Sequence, residues 1–457
     1  MAWTRADTIT IDHTKVPNTD QSNFPVLIIG TYSNLATIAN GGVVTSASGY
    51  DIIFAADAAG VTPYKFERVS WNATTGACQF WVKVPTVSHT VDTVFYCLNG
   101  NSAVTTDQQD AANTWSANFA AVYHLDDNAA TTTIVDSRGA NNATNVANTS
   151  TKTVTGEIQS GLTFNGSTDD AIAVGSFTPT GAGCFSVWVK AADTTAGFHG
   201  IIVTKNFVGN DNIGIWRNGT NWYYQAEGAS ANVDITSTAT VSTSAWTHLA
   251  ISIDPTVTNK VITYVNGAVD HNNTNNPGTI TARGLDIAWY NAGNRINALL
   301  DEIHISTAAR SGDWIATEYN NQSSPGTFYT ATLVQPIFVS KLVTYFLVRP
   351  FNTNPPVWPI FSFPDGYVGI PYAQGWDMPD ASPVVTYTVL SGSLPPGLSL
   401  VALTGNQAEV SGTPTLVGVY PFTLRATNDY GVADEDFSIT ILNIPPGLTG
   451  GSFIFIN

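Results

Sequence analysis

The chain has 457 residues, a formal net charge of −17 and only 11% charged residues. The length suggests about three domains of roughly 150 residues each. The acidity argues against a nucleic-acid partner, which needs a basic face to displace counterions, although acidic, oxygen-rich loops could attract calcium. Abundant Thr, Asn, Gly and aromatic residues favour an all-β protein with many turns.

The first predicted unit spans residues 1–113 and has strand patterns at 8–11, 24–29, 52–55 and 64–71. Cys78 and Cys97 lie in two further strand-like runs, which would place the thiols opposite each other if the runs form a hairpin. A disulfide and two buried free thiols are both open alternatives. Cys184 has no partner in sequence, and no CxxC or Cys/His cluster indicates zinc.

The residues after Met1 form a strand pattern without the basic and apolar regions of a signal peptide. Either a leader has been removed or the protein is not exported by that route. No run approaches the roughly 20 apolar residues of a membrane span, so we expect no membrane insertion.

Four phrases of the first unit follow one another in a distinctive order: FPVLI (24–28), GYDIIF (49–54), YKFERV (64–69) and FYCLNGN (95–101). This order resembles a small β-sandwich family of unknown function that often precedes laminin-G-like domains in bacterial and phage proteins. The resemblance covers nearly all of residues 1–113 and implies no known chemistry.

The second predicted unit spans residues 114–328 and contains seven phrases in order: AVYHLD (121–126), DSRGANNA (136–143), GLTFNG (161–166), FSVWVK (185–190), WTHLA (246–250), YVNG (264–267) and LLDEIHIS (299–306). They resemble the strands of laminin-G-like (concanavalin-A-like) jelly rolls. The fold that this implies more often binds glycans or proteins than it catalyses reactions.

The phrase LLDEIHIS predicts the closing strand of that jelly roll. Side chains alternate between the two faces of a strand, which places Asp301 on the inward face with Leu299, Ile303 and Ile305. A buried carboxylate must be hydrogen-bonded or metal-bound. A short helix should follow, with Ser311 as its N-cap and Asp313, Trp314, Ile315 and Tyr319 at helical spacing.

A proline-rich connector at 329–357 precedes a third unit at 358–443. There LPPGLSL (394–400), VSGTP (410–414) and GVYPFTLRATN (418–428) resemble the Ig-like (cadherin-like) modules of bacterial and phage surface proteins, which implies about seven strands. The tail at 444–457 contains an apolar β segment that we expect to dock on another domain or subunit. The predicted fold is therefore all-β, with three tandem β-sandwich domains.

The laminin-G-like resemblance implies a structural calcium site at Asp136, Asn141 and Asp301, with Asp126 and Asp127 as further candidates. Oxygen-only ligands from loops suit calcium better than a transition metal. The alternative is that Asp301 accepts backbone N–H bonds from a turn and Asp136 forms an Asx-turn.

Aromatic rings could stack against sugars in a jelly-roll lectin. Neighbouring strand residues point to opposite faces, so at least one ring of the run 222–224 should leave the core. The alternative is that these rings fill or rim the core. The candidate ligand-binding residues are Trp216, Trp222, Tyr223, Tyr224, Trp289 and Tyr290.

Glycoside hydrolases also use this fold, with paired acids. Glu302 beside His304 is the only candidate, and it reads as an ordinary outward-facing acid. No other catalytic motif is present in the sequence, so we expect a protein that is not an enzyme.

Three adhesive β-sandwich modules without a catalytic constellation predict a structural or adhesion protein on the virion surface of a tailed phage, as a capsid decoration, fibre or baseplate adhesin. Its expected partners are other virion proteins, copies of itself and host-surface glycans. The glycans would be bound weakly, by many copies of the protein at once. A secreted bacterial carbohydrate-binding surface protein is the alternative, and a glycan-active enzyme is the third hypothesis.

Overall fold

The computed structural model describes residues 3–115, 118–168, 171–173, 175–204, 211–289, 294–332, 355–378, 385–403 and 405–444. The chain divides into two compact units, Met1–Ile337 and Phe338–Asn457. Both are built almost wholly from antiparallel strands in several sheets, which confirms the all-β, multi-sandwich prediction.

The first unit contains 23 strands and three α-helices among its described residues. In chain order they are β1 (Arg5–Ile11), β2 (Gln21–Thr31), β3 (Ile53–Ala55), β4 (Phe66–Trp71), β5 (Ala77–Val87), β6 (Thr93–Asn99), α1 (Ala111–Thr114), β7 (Phe119–Tyr123), β8 (Thr133–Ile134), β9 (Ala143–Asn145), β10 (Thr153–Thr155), β11 (Ser160–Asn165), β12 (Ala171–Ala173), β13 (Gly183–Ala191), β14 (Phe198–Thr204), β15 (Asn212–Asn218), β16 (Asn221–Glu227), β17 (Asn232–Thr240), β18 (Thr247–Ile253), β19 (Val261–Val265), β20 (Ala268–Asn273), β21 (Leu285–Ile287), β22 (Asn297–Ser306), α2 (Gly312–Ser323), α3 (Pro325–Phe328) and β23 (Tyr329–Thr332).

Two sandwiches share this unit. The small sandwich pairs a sheet of order β23-β1-β6-β3 with a sheet of order β2-β5-β4. The large sandwich encloses its apolar core between two eight-stranded sheets. We call the first the packed sheet (β10-β11-β22-β13-β18-β19-β20, with β7 beside β22) and the second the open sheet (β17-β16-β15-β14-β21-β12-β9-β8).

The large sandwich is inserted into the small one. The chain leaves the small sandwich after β6, builds the large sandwich and α2, and then returns as β23 to pair with β1, with Tyr329 opposite Ile11. The expected boundary at 113/114 is thus the start of an insertion, and residues 329–332, expected in a connector, complete the first sheet.

One apolar cluster joins the two sandwiches. It contains the core of the small sandwich together with Val122, Cys184 and Ala250 from the outer face of the packed sheet and Trp314 from α2. Helix α2 begins after Ser311, whose Oγ accepts a hydrogen bond from Trp314 N, as the sequence predicts.

Helix α2 also covers the free edge of β2. Asn321 is fully buried, and its side chain accepts from Leu27 N (2.7 Å) and donates to Leu27 O (3.2 Å). Tyr329 does the same at Ile29, with its hydroxyl 2.9 Å from the nitrogen and 2.8 Å from the oxygen. Side chains therefore satisfy backbone groups that a neighbouring strand would otherwise pair.

Strand β22 carries a bulge at Glu302, whose φ of 45° lies in the left-handed region. Before the bulge Leu300 faces the core of the large sandwich, and after it Ile303 does. The bulge reverses the alternation, so the period-two assignment is wrong for Asp301, which lies opposite Trp188 on the outer face.

The two cysteine-containing runs do not form a hairpin. Cys78 lies on β5 and Cys97 on β6, and these strands belong to different sheets of the small sandwich. Both thiols, and that of Cys184, are buried and free.

The second unit contains a C-terminal sandwich whose seven described strands match the expected number. They are β24 (Gly366–Tyr367), β25 (Tyr372–Asp377), β26 (Thr386–Gly392), β27 (Leu398–Ala402), β28 (Gln407–Gly412), β29 (Gly418–Asn428) and β30 (Gly431–Leu442). Its sheets have the orders β24-β30-β29-β26 and β25-β28-β27 around an aromatic core. Almost all of the tail that we expected to dock lies outside the described residues.

Among the described residues, no helix combines the length and the apolar character needed to cross a membrane.

The role of Asn321 can be tested by substitution. Asn321→Ala leaves a buried N–H and a buried C=O of Leu27 without partners, so we expect the free energy of unfolding to fall by about 2–4 kcal/mol. The matched control is Asn320→Ala, which removes one bond to Lys15 O from a half-buried position and should cost about 1 kcal/mol or less. Denaturant unfolding measures both, and equal losses would contradict the edge-covering role.

Candidate functional site

A chain of ionisable side chains crosses the boundary between the two sandwiches. We call it the Glu–His chain. It runs from β4 through the segment after β7 to β22, α2 and β18, and its members in spatial order are Glu67, His124, Glu302, His304, Glu318 and His248. All six are buried.

Consecutive members lie within ion-pair distance, and acids alternate with imidazoles. The contacts are Glu67 Oε2 to His124 Nε2 (3.2 Å), His124 Nδ1 to Glu302 Oε2 (2.8 Å), Glu302 Oε2 to His304 Nε2 (3.1 Å), His304 Nδ1 to Glu318 Oε1 (2.9 Å) and Glu318 Oε1 to His248 Nε2 (3.7 Å). Carboxylates can only accept, so both ring nitrogens of His124 and His304 must donate, and both rings are imidazolium ions.

The pKa shifts agree with this assignment. Burial by itself would lower the pKa of His124 and His304, but the flanking carboxylates raise both, that of His124 well above the ordinary 6.5. Burial would raise the pKa of Glu302 and Glu318, but the adjacent imidazoles lower both. These two imidazoles and these two carboxyl groups are therefore ionised at neutral pH.

Neutral donors and aromatic rings surround these charges. Glu67 accepts from Trp115 Nε1 (2.7 Å) and from Ser137 Oγ (2.6 Å). Trp81 stacks on the His124 ring with centroids 5.7 Å apart and an interplanar angle of 13°. The rings exclude water, and the hydrogen bonds compensate for the desolvation of the acids.

Glu302 is not the ordinary, solvent-facing acid that the sequence predicts. Its side chain points away from the core of the large sandwich, but the small sandwich and α2 cover it and leave it 2% exposed. His304 is 3% exposed. Both residues belong to the Glu–His chain. The contacts of this chain join the two sandwiches, which is a structural role.

The residues proposed for calcium hold loops. Asp136 Oδ1 accepts from Val122 N (2.9 Å) and Arg138 N (3.0 Å), and Oδ2 accepts from Ala140 N (3.2 Å) and Asn141 N (3.0 Å). Four N–H dipoles directed at one carboxylate oppose a cation at the same oxygens, so Asp136 does not fit a calcium ion. The geometry matches the Asx-turn alternative.

Three of the other calcium candidates also bond backbone groups, each through one side-chain atom. Asn141 donates from its side chain to Ala120 O (3.0 Å), and Asp127 accepts from Val135 N (3.1 Å). Asp301 accepts from Ile158 N (2.8 Å), and burial raises its pKa well above the ordinary value, an effect that the charge of Glu302 increases. Calcium at these residues stays a prediction from the resemblance alone.

The aromatic candidates divide between the two faces of the open sheet. Trp222 and Tyr224 are fully buried in the core of the large sandwich. Tyr223 points to the outer face and lies opposite Trp216, which is itself buried there. Trp289 is half-buried in the segment after β21, and Tyr290 lies outside the described residues.

An aromatic patch lies on that outer face and consists of Phe198, Trp216 and Tyr223. Phe198 is 40% exposed, and its ring meets Tyr223 edge-on with centroids 4.9 Å apart. Trp216 lies across Gly214, where an added Cβ would come within 2.6 Å of the indole Nε1. The absent side chain lets the indole lie close to the sheet.

Polar groups lie beside the aromatic patch. Asp234 is exposed and accepts from Tyr223 Oη (2.5 Å) and Gln225 Nε2 (3.1 Å). Thr236 lies opposite Tyr223 on β17 and is also exposed. This part of the face offers an apolar surface next to hydrogen-bonding groups that reach solvent.

Sequence reasoning missed Phe198 and Asp234, which lie in no recognised phrase. It also missed the Glu–His chain, although a signal was present. Three of the seven histidines, His124, His248 and His304, occur inside strand phrases of the second unit. Histidines repeated on the polar faces of strands of one predicted sheet indicate a shared buried network.

Two family models match the chain. Residues 164–316 match the family described as "Concanavalin A-like lectin/glucanases superfamily", and residues 363–442 match the family described as "Putative Ig domain". The large sandwich is a concanavalin A-like jelly roll, and the C-terminal sandwich is an Ig-like domain. No curated protein sequence matches the chain.

Several solved structures are similar to parts of the chain. Domain 4 of the extracellular arabinanase AbnA from Geobacillus stearothermophilus, in complex with arabinotriose, is 22% identical with a TM-score of 0.36, over 44% of this chain and 98% of that one. The CBM40 of the Ruminococcus gnavus IT-sialidase, bound to sialyllactose, is 9% identical with a TM-score of 0.29, over 35% and 96%. The binding domain of Paraclostridial Mosquitocidal Protein 1 is 11% identical with a TM-score of 0.37, over 71% and 89%.

The Glu–His chain predicts a defined pH dependence of stability. The folded-state pKa values of His124 and His304 are raised, so their contribution to stability is complete below about pH 6.5 and is lost as the pH rises through the folded-state pKa. The glutamate pKa values are lowered, so their contribution is complete above about 4.5 and is lost as the pH falls through the folded-state pKa. We expect thermal melts to show highest stability between these values and a decline at alkaline pH.

Two variants test whether the decline in stability at alkaline pH arises from the Glu–His chain. His304→Gln should lower stability and make the alkaline decline shallower. His271→Gln is the control, because its ring pairs with Asp270 in a half-exposed position, and it should leave the profile unchanged. An alkaline slope that is the same in His304→Gln as in the parent would rule out this origin.

Proposed function

We propose that this protein is a non-enzymatic adhesion protein that binds glycans on the open sheet of the large sandwich. The observation that carries the proposal is that the outer face of one sheet is covered and that of the other sheet is not. The small sandwich and α2 cover the outer face of the packed sheet, whereas the open sheet presents Phe198 and Tyr223 beside Asp234 and Gln225.

This combination suits the chemistry of a sugar. The C–H groups of a pyranose ring form an apolar face that can lie on an aromatic ring, and its hydroxyls both donate and accept hydrogen bonds. Asp234 provides carboxylate oxygens, and Gln225 provides an amide. The match of the large sandwich to the lectin and glucanase superfamily is consistent with this ligand class.

The absence of an enzymatic activity is part of the proposal. Glu302 and His304 were the catalytic candidates, and both have their polar atoms engaged in the buried Glu–His chain. A ligand on the open sheet would lie on the opposite side of the large sandwich from these groups. Binding without turnover is therefore the function that the described residues support best.

Substitutions in the aromatic patch test glycan binding. Tyr223→Ala and Phe198→Ala should each weaken binding to the best glycan on an array by about tenfold or more, which corresponds to about 1.4 kcal/mol. The control is Tyr430→Ala, because Tyr430 is 52% exposed in the Ig-like domain. Binding that survives both patch substitutions, or that Tyr430→Ala abolishes, would place the site elsewhere.

We further propose that the protein acts on the surface of a tailed-phage virion. The order of modules supports this, since such units recur in the surface proteins of phages as well as of bacteria. Many copies on one particle would convert weak single sites into high avidity. A secreted protein of the bacterial surface is the alternative.

Immunolabelling distinguishes these locations. Antibodies against the full chain, applied to lysates and to intact cells of the organism that encodes it, should label phage particles in electron micrographs. Label on the surface of uninfected cells would overturn the virion proposal and favour the bacterial one. Preimmune serum is the control for both samples.

A further inference from the structure

Three potential metal ligands meet at one end of the small sandwich. Asp12 and His13 follow β1, and Asp92 precedes β6. One ligand atom from each side chain lies within 4.8 Å of the other two. This cluster is separate from both the Glu–His chain and the aromatic patch.

The pairing of β1 with β6 brings the two acids together. The last ladder pair is Ile11 with Thr93, so Asp12 and Asp92 occupy the next opposite positions. Like charges at directly opposed positions repel each other. A cation between the two carboxylates would remove this repulsion.

The imidazole of His13 lies on the same side. Its Nδ1 is 2.6 Å from Asp92 Oδ1, and its backbone N donates to the same oxygen at 3.1 Å. The side chains of His13 and Asp92 are 37% and 52% exposed, so an ion can reach them from solvent. Asp12 uses Oδ1 to accept from Thr14, and its Oδ2 is available as a ligand.

We propose that Asp12, His13 and Asp92 bind a zinc ion. One imidazole nitrogen and two carboxylate oxygens are ligands that zinc accepts, and a water molecule can complete a tetrahedral set. The imidazole distinguishes this set from the oxygen-only sites that calcium and magnesium prefer. A zinc ion on His13 Nδ1 would need that nitrogen without a proton and would replace its contact with Asp92 Oδ1.

The ion would stabilise a loop that joins the small sandwich to α2. In this loop Asn18 and Thr19 donate to the two carboxylate oxygens of Asp313, at 2.9 and 2.8 Å. Zinc at its beginning would fix the loop at both ends. Binding to the folded state alone raises stability, so the melting temperature should rise with zinc.

A second histidine–aspartate pair in this protein has nearly the same geometry as His13 with Asp92 but lacks the third ligand. His89 contacts Asp20 Oδ1 through its backbone N (2.9 Å) and its Nδ1 (2.6 Å), which is the pattern of His13 with Asp92. Among the described residues, no third carboxylate, imidazole or thiolate completes a cluster at this pair. His89 is therefore the matched control for His13.

Calorimetric titration of the full chain with zinc chloride tests the proposal. We expect one site per chain, a dissociation constant raised more than about tenfold by His13→Gln and by Asp92→Asn, and no change in His89→Gln. Calcium chloride should not displace the zinc. Melting without added metal verifies that each variant is folded.

Three results would overturn the proposal. They are no binding by the parent chain, equal affinity in the parent and His13→Gln, and equal losses in His13→Gln and His89→Gln. The last two would identify non-specific binding to an acidic surface. Glycan binding by the aromatic patch is measured separately, so the two proposals can fail independently.

Discussion

The alternating charges of the Glu–His chain hold the first unit together and determine which of its surfaces are covered. Two imidazolium ions lie between carboxylates in a space from which aromatic rings exclude water. Removing one member leaves a neighbour charged and unpaired in a medium of low dielectric constant, which costs about 3–5 kcal/mol for a buried pair. The two sandwiches consequently fit together in one register, in which Glu67 of the first meets His124 of the second.

The insertion of the large sandwich makes this boundary part of a single fold. The small sandwich lacks an edge strand until the chain returns as β23, and its other sheet depends on α2 to cover the edge of β2. Asn321 supplies there the donor and the acceptor that a neighbouring strand would supply. Covering an edge in this way also prevents pairing with other chains.

The same arrangement leaves one broad face, the outer face of the open sheet, for the proposed function. Since the packed sheet is used for assembly, the exposed aromatic rings of the large sandwich lie on the open sheet. Phe198 and Tyr223 form their patch at a fixed distance from the small sandwich, because both sheets enclose a single core. A rigid display of the aromatic patch is what the proposed adhesion function would need, since its avidity would come from many copies.

The sequence by itself determined most strands and the N-cap of α2 at Ser311, because these depend on local periodicity and capping. Its resemblance to known families indicated the jelly roll and the Ig-like domain. The sequence also determined that one ring of the run 222–224 leaves the core. Only the tertiary structure decided that Glu302 is buried and that Phe198 joins Tyr223. An outward strand face looks the same in sequence whether water or a second sandwich covers it, and the bulge at Glu302 that redirects Asp301 arises from pairing with a strand more than 100 residues away.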